Sequence, residues 1–114
     1  MLSFLFHTSS LAGEADVLLV DVKKNSDDTY NFSVTVLHKD AGWDHFANKW
    51  EILTIDKTVL ATRVLHHPHV NEQPFTRSLS DVKLPDGSKS VTIRAHDSVH
   101  KYGGKTLTVK LPTK

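Results

Sequence analysis

Cysteine is absent from this chain of 114 residues. Its absence excludes disulfide bonds, thiolate zinc sites, iron–sulfur clusters and cysteine nucleophiles. Methionine occurs once, at the first position, so the thioether ligands that suit Cu(I) are missing as well. An excess of one charge is also missing, because 14 basic side chains face 13 acidic ones. The chain therefore lacks the basic surface typical of a nucleic-acid-binding protein.

Long hydrophobic runs are scarce too. The first six residues are mostly apolar, but a membrane-spanning helix needs about 20 such residues. Ser10 and Ala12 place small residues where a signal peptidase reads them. We therefore expect residues 1–12 to be a signal-peptide remnant and residues 13–114 to form the domain, in the periplasm or outside the cell. No Lys or Arg precedes the apolar patch, and the alternative is an N-terminal arm that packs on the domain.

A helical repeat of apolar residues is absent, and a period of two takes its place. The alternation is clearest where Tyr30, Phe32, Val34 and Val36 are separated by polar residues, which predicts a strand with one buried face. Turn residues separate the apolar segments. We expect seven strands, near residues 16–22, 30–36, 50–55, 58–65, 75–79, 91–96 and 107–111. This pattern predicts an all-β, seven-stranded antiparallel sandwich.

The C-terminal half resembles a known class of β-sandwich. The segment from Leu79 through Val91-Thr-Ile-Arg-Ala95 to Gly103-Gly104-Lys-Thr-Leu-Thr-Val109 is similar to the last strands of fibronectin type III and bacterial immunoglobulin-like domains. Trp50 stands where many immunoglobulin-like domains have a core tryptophan. The chain departs from the family in lacking a cysteine pair and a tyrosine on the sixth strand. The resemblance implies a fold and no particular function, because such sandwiches have many functions.

Histidine is the one residue type in excess, with eight in the chain. In an antiparallel sandwich of seven strands, the loops after the second, fourth and sixth strands lie at the same end. The turns at the other end contain no histidine. Seven of the eight histidines fall in or beside the loops of one end, namely His38, His45, His66, His67, His69, His96 and His100. Long loops grouped on a rigid scaffold are where binding sites are usually built.

Neutral imidazole is the commonest metal ligand among side chains. Several imidazoles with a carboxylate and no thiolate suit Zn²⁺, Cu²⁺ or Ni²⁺. Pro68 restricts the residue before it to extended conformations, so both neighbouring histidines project from a stiff segment. We therefore predict a divalent-metal site, with Zn²⁺ or Cu²⁺ as the ion, whose ligands are His45, His67, His69 and His100, with Glu72 in reserve.

Other interpretations of the same loops stay open. Trp43, Phe46 and Tyr102 could form a surface that recognises a protein or a glycan, with the histidines as hydrogen-bonding groups at its rim. A purely structural domain of a larger exported assembly is the third interpretation. His38 continues the inward-facing positions of the second strand, which favours a hydrogen-bonded residue at the rim of the core.

Signatures of an enzyme are missing from the sequence. It has no Gly-rich phosphate loop, no Gly-x-Ser-x-Gly elbow and no His-Glu-x-x-His motif. Three histidines around a metal with an open position can support hydrolytic or redox chemistry, but no residue pattern here demands it. We expect a binding protein rather than an enzyme.

Overall fold

The computed structural model describes residues 13–113, which form seven β-strands and no helix. The strands are β1 (Asp16–Lys24), β2 (Tyr30–Leu37), β3 (Ala47–Leu53), β4 (Val59–Val64), β5 (Phe75–Val82), β6 (Ser90–Asp97) and β7 (Leu107–Lys110). Each of the seven predicted segments forms a strand. The predicted signal-peptide remnant or arm at residues 1–12 lies outside the described residues. Within those residues, no helix is long and apolar enough to cross a membrane.

The strands form two antiparallel sheets. One has the order β1-β2-β5, and the other has the order β4-β3-β6-β7. The inward side chains of both sheets belong to a single cluster of buried residues. This arrangement is an all-β sandwich, as the alternation of apolar and polar residues predicts.

The core follows from the period-two pattern of the strands. Phe32 and Val34 of β2 face Trp50 of β3 and Ile93 of β6 in the buried cluster, and all four are fully buried. The polar residues between them lie on the outer faces. Burying an apolar side chain of this size contributes about 1.5–3 kcal/mol, so these positions fix which face of each strand points inward.

Two strand boundaries differ from the sequence-based prediction by three residues, and the others by two or fewer. Strand β3 begins at Ala47, three residues before Trp50, because Ala47 pairs with Asp97 of β6. Strand β5 continues to Val82, which is buried and pairs with Tyr30. Asp81, with a positive φ of 57°, lies at an irregularity in this pairing.

Antiparallel connection brings three loops to one end of the sandwich. They are the β2–β3 loop (residues 38–46), the β4–β5 loop (residues 65–74) and the β6–β7 loop (residues 98–106). Gln73 joins two of them, because its side-chain oxygen accepts from the backbone N–H of His38 and its amide donates to the carbonyl of His69, both at 2.9 Å. The N–H of Ser98 donates to the carbonyl of Phe46 at 2.9 Å. We call this end of the sandwich the histidine end.

The two tryptophans give a matched test of the fold. Trp50 is fully buried, whereas Trp43 is 66% exposed. Trp50→Ala should lower the free energy of unfolding by about 3–5 kcal/mol, because it leaves a large cavity in the core. Trp43→Ala should change it by less than about 1 kcal/mol. Urea denaturation of both variants measures the difference, and equal losses would contradict the placement of Trp50.

Candidate metal centre

Three ligand-type side chains meet at the histidine end. One nitrogen of His38, one nitrogen of His45 and a carboxylate oxygen of Asp97 all lie within 4.8 Å of one another. His38 directly follows β2, His45 lies in the β2–β3 loop, and Asp97 is the last residue of β6. The pairing of Ala47 with Asp97 holds the loop against the end of β6. These residues could hold a metal ion, and they form the candidate metal centre.

Asp97 is the most connected group of the centre. Its Oδ2 accepts hydrogen bonds from His45 Nε2 at 2.8 Å, from His100 Nδ1 at 3.2 Å, and from the backbone N–H groups of Val99 and His100 at 3.2 and 3.0 Å. Its Oδ1 is buried without a hydrogen-bond partner among the described residues. A buried carboxylate oxygen normally has a partner, so Asp97 has an unused acceptor in Oδ1, while both imidazoles contact Oδ2.

His38 is surrounded by oxygen atoms on both sides of its ring. Its Nδ1 lies 2.5 Å from Asp40 Oδ1, and its Nε2 lies 3.1 Å from the carbonyl oxygen of Gly13 and 3.7 Å from Asp97 Oδ2. A neutral imidazole has only one N–H, so a neutral His38 would point a lone pair at oxygen. Either a second proton or a metal ion at Nε2 removes this conflict. His38 is buried and hydrogen-bonded, which confirms its interpretation from the sequence.

Burial and neighbouring charged or hydrogen-bonding groups act in opposite directions on the pKa values of His38, Asp40 and Asp97. Burial alone would lower the pKa of His38, but the hydrogen bond to Asp40 and the charges of Asp40 and Asp97 outweigh it and raise that pKa. Burial alone would raise the pKa of Asp40, which is instead lowered by His38 and by two backbone N–H groups. The pKa of Asp97 is lowered in the same way, mainly by the N–H groups of His100 and Val99. Both carboxylates are therefore held as anions.

His45 and His100 form the solvent side of the centre. Their ring centroids are 4.9 Å apart, and the His45 ring meets the His38 ring edge-on at 4.8 Å. The side chain of His45 is 22% exposed and that of His100 is 39% exposed, whereas that of His38 is fully buried. The centre therefore opens toward solvent through these two rings. Gly13 packs against the His100 ring, and a Cβ there would lie 3.3 Å from it.

The other two predicted ligands lie outside the three-residue cluster. The ring of His69 stacks on Phe75 at 3.9 Å, and its Nδ1 is buried without a hydrogen-bond partner in the described part of the chain. Burial, followed by the charge of Arg77, lowers the pKa of His69. His67 is exposed and meets Trp43 edge-on at 6.0 Å. Glu72, held in reserve as a ligand, is paired with Arg77 at 3.3 Å.

The structure thus brings together two of the four predicted ligands, His45 and His100, and adds His38 and Asp97. The alternation of inward-facing and outward-facing positions along β2 and β6 could have identified His38 and Asp97 from the sequence. Asp97 is the next inward-facing position of β6 after Val91, Ile93 and Ala95, and His38 is the next one of β2. An acid and a histidine that continue two inward-facing rows are placed side by side at the end of the core.

Comparison with known proteins identifies a relative of this chain. The chain is 38% identical over 96 residues to a protein of Halomicrobium mukohataei that carries the name "Putative lipoprotein". The matched segment covers 84% of this chain and 47% of the relative, so the chain spans about half the length of the curated relative it matches. No protein-family model matches the chain. No solved structure matches it either.

The buried carboxylates predict a loss of stability in acid. The folded-state pKa values of Asp40 and Asp97 are depressed, so their contribution is fully present above about pH 4, near the unfolded-state value, and is lost as the pH falls through the lower folded values. The metal-free protein should therefore unfold progressively below that pH in urea titrations. Asp97→Asn should be less stable at neutral pH and show a shallower loss in acid.

Asp44→Asn is the matched control, because Asp44 is an exposed acid of the β2–β3 loop at the same end of the sandwich. It should keep the wild-type pH dependence. An Asp97→Asn variant with an unchanged acid slope would contradict the assignment of a depressed pKa to Asp97.

Proposed function

We propose that this protein is an exported β-sandwich domain that binds a divalent transition metal, Zn²⁺ or Cu²⁺, at its histidine end. The observation that carries the proposal is the approach of His38, His45 and Asp97 to within 4.8 Å of one another through their ligand atoms. Metal carriage, sensing or buffering are the roles that such a site supports. Because the sequence has no Gly-rich phosphate loop, Gly-x-Ser-x-Gly elbow or His-Glu-x-x-His motif, we propose a binding role rather than an enzymatic one.

The distances within the cluster support the proposal. Ligands 2.0–2.1 Å from a tetrahedral Zn²⁺ lie about 3.3 Å from one another. Oδ2 of Asp97 is 2.8 Å from the His45 nitrogen and 3.7 Å from the His38 nitrogen. Shifts of roughly half an ångström therefore bring each nitrogen to ligand spacing from this oxygen. The widest pair of the set, whose atoms lie within 4.8 Å of one another, must close by up to about 1.5 Å. His100 lies 3.2 Å from the same oxygen and is the fourth ligand that we propose.

The chemistry of the donor set supports a transition metal over Ca²⁺ or Mg²⁺. Calcium takes six to eight oxygen ligands, and magnesium keeps near-octahedral oxygen coordination. Imidazole nitrogens with one carboxylate are instead typical of zinc and of Cu(II). Oδ1 of Asp97 has no hydrogen-bond partner among the described residues, so the carboxylate has acceptor capacity to spare when Oδ2 binds the ion.

Location and family are part of the same proposal. The name of the Halomicrobium protein supports a cell-envelope or secreted location, as do the small residues near position 12.

The fold relationship that we propose is to fibronectin type III domains. Strand β4 pairs with β3, whereas the constant immunoglobulin domain places its fourth strand in the sheet of the first, second and fifth strands.

Metal titration of the metal-free protein tests the proposal. Zn²⁺ or Cu²⁺ should raise the unfolding temperature at neutral pH, with a stabilisation of about 2.7 kcal/mol when the metal is 100-fold above Kd. Binding should weaken as the pH falls, because protons compete for the imidazole nitrogens and the pKa of the ligand His38 is raised. The double variant His45→Ala with Asp97→Asn should abolish the effect, and His66→Ala, at an exposed histidine, should preserve it.

A second double variant separates the two ligand sets. His67→Ala with His69→Ala should leave the calorimetric affinity for Zn²⁺ within a few-fold of wild type if the ion is held by His38, His45, Asp97 and His100. Loss of binding in this variant would instead assign the ion to the set predicted from the sequence. Absence of any metal effect on the wild-type protein would refute the proposal.

A second candidate function, recognition of a glycan or protein, is favoured by one surface. Trp43 is largely exposed and meets Phe46 edge-on at 5.6 Å. It borders a groove of about 560 Å³ that His67, Val70 and Glu72 also line. Aromatic side chains with polar neighbours are typical of such sites. Tyr102 is not part of this surface, because its ring covers the guanidinium of Arg94 at 3.8 Å.

A glycan array tests this second function. If the groove recognises sugars, the wild-type protein should bind defined glycans, and Trp43→Ala should lose at least tenfold in affinity, since removal of a central aromatic contact costs 1.4 kcal/mol or more. The His45→Ala protein should bind as the wild type does, because His45 does not line the groove. An array without signal for the wild type, or signals unchanged by Trp43→Ala, would count against the groove.

A further inference from the structure

Asp40 is a fully buried carboxylate that lies beside the candidate metal centre and outside its ligand set. Its Oδ1 accepts hydrogen bonds from His38 Nδ1 at 2.5 Å and from the N–H of Ala47 at 3.0 Å. Its Oδ2 accepts from the N–H of His69 at 2.6 Å. The side chain is 0% exposed. Both oxygens are therefore used by protein donors, and neither is aimed at the centre.

The hydrogen bond to Asp40 decides which nitrogen of His38 is free. An ionised carboxylate only accepts hydrogen bonds, so Nδ1 of His38 must carry a proton. In the neutral ring, the lone pair then lies on Nε2, which faces the carbonyl oxygen of Gly13 at 3.1 Å and Asp97 Oδ2 at 3.7 Å. Metal-binding histidines usually donate their other N–H to a carboxylate or a carbonyl, which fixes the ring and strengthens it as a ligand.

Asp40 also connects the β2–β3 loop, which contains it, to two neighbouring parts of the backbone. Through Ala47 it contacts the first residue of β3, and through His69 it contacts the β4–β5 loop. One buried carboxylate thereby joins two of the three loops of the histidine end to the ring of a candidate ligand. Such a group holds a ligand within the narrow tolerance that a metal site requires.

We infer that Asp40 is a positioning residue of the metal centre, which holds His38 with Nδ1 protonated and Nε2 directed at the ion. This inference rests on the proposed function, because it assigns a role to Asp40 only through a bound metal. It predicts that His38 binds through Nε2 and that Asp40 contributes to affinity without contacting the ion.

The test compares Asp40→Asn and Asp40→Ala with wild type in Zn²⁺ calorimetry and in nitrogen-15 spectra of the His38 ring. Asparagine keeps the size of the side chain, but it cannot offer acceptors at both oxygen positions, so it loses the charge and at least one hydrogen bond. Affinity for Zn²⁺ should fall roughly 10–100-fold in Asp40→Ala and by an intermediate factor in Asp40→Asn. Asp44→Asn, in the same loop, should match wild type.

The nitrogen-15 spectra of the His38 ring distinguish a positioning role of Asp40 from a general effect on stability. In zinc-loaded wild type, His38 should show a protonated Nδ1 and a metal-bound Nε2, and Asp40→Ala should lose this single pattern. Wild-type affinity and an unchanged His38 pattern in Asp40→Ala would overturn the inference. If wild type itself binds no zinc, the proposed function fails. If wild type binds but the metal is on Nδ1, only the role of Asp40 fails.

Discussion

The structure of the histidine end depends on the hydrogen bonds that the carboxylate of Asp97 accepts. Asp97 is the last residue of β6, and its side chain is fully buried. One of its oxygens accepts hydrogen bonds from two imidazoles and two backbone N–H groups. Burying an isolated carboxylate is unfavourable unless it is paired and hydrogen-bonded. The β6–β7 loop must therefore fold back over it, and His45 must turn toward it. The same anion that orders these loops is a hard oxygen ligand next to nitrogen ligands.

The sandwich supplies the precision that this arrangement needs. His38 and Asp97 each follow a row of buried apolar residues, in β2 and β6, so the packing of the two sheets sets the distance between them. Asp40 then ties the β2–β3 loop to β3 and to the β4–β5 loop. Side chains carried at strand ends are held more exactly than side chains on free loops.

Much of the fold can be predicted from the sequence, and only part of the site. The alternation in β2 and β6 and the turn residues predict seven strands, and antiparallel order then places seven histidines near one end. The direction of a side chain within a loop is not determined by the period-two alternation that determines it within a strand. His67 points to Trp43 and His69 stacks on Phe75, and both depend on long-range packing. Gly104 illustrates the same limit, because a Cβ there would clash with the carbonyl oxygen of Ala15, a long-range contact that no local pattern indicates.

The central claim is that His38, His45 and Asp97 converge on one metal ion. A native mass spectrum of the protein, purified without a histidine tag and exposed to one equivalent of Zn²⁺, measures this directly. The account predicts that wild type retains one ion per chain and that the His45→Ala/Asp97→Asn variant retains none, because the first loses a nitrogen ligand and the second loses the anion. A wild-type spectrum without a bound ion, or equal retention by both proteins, would contradict it.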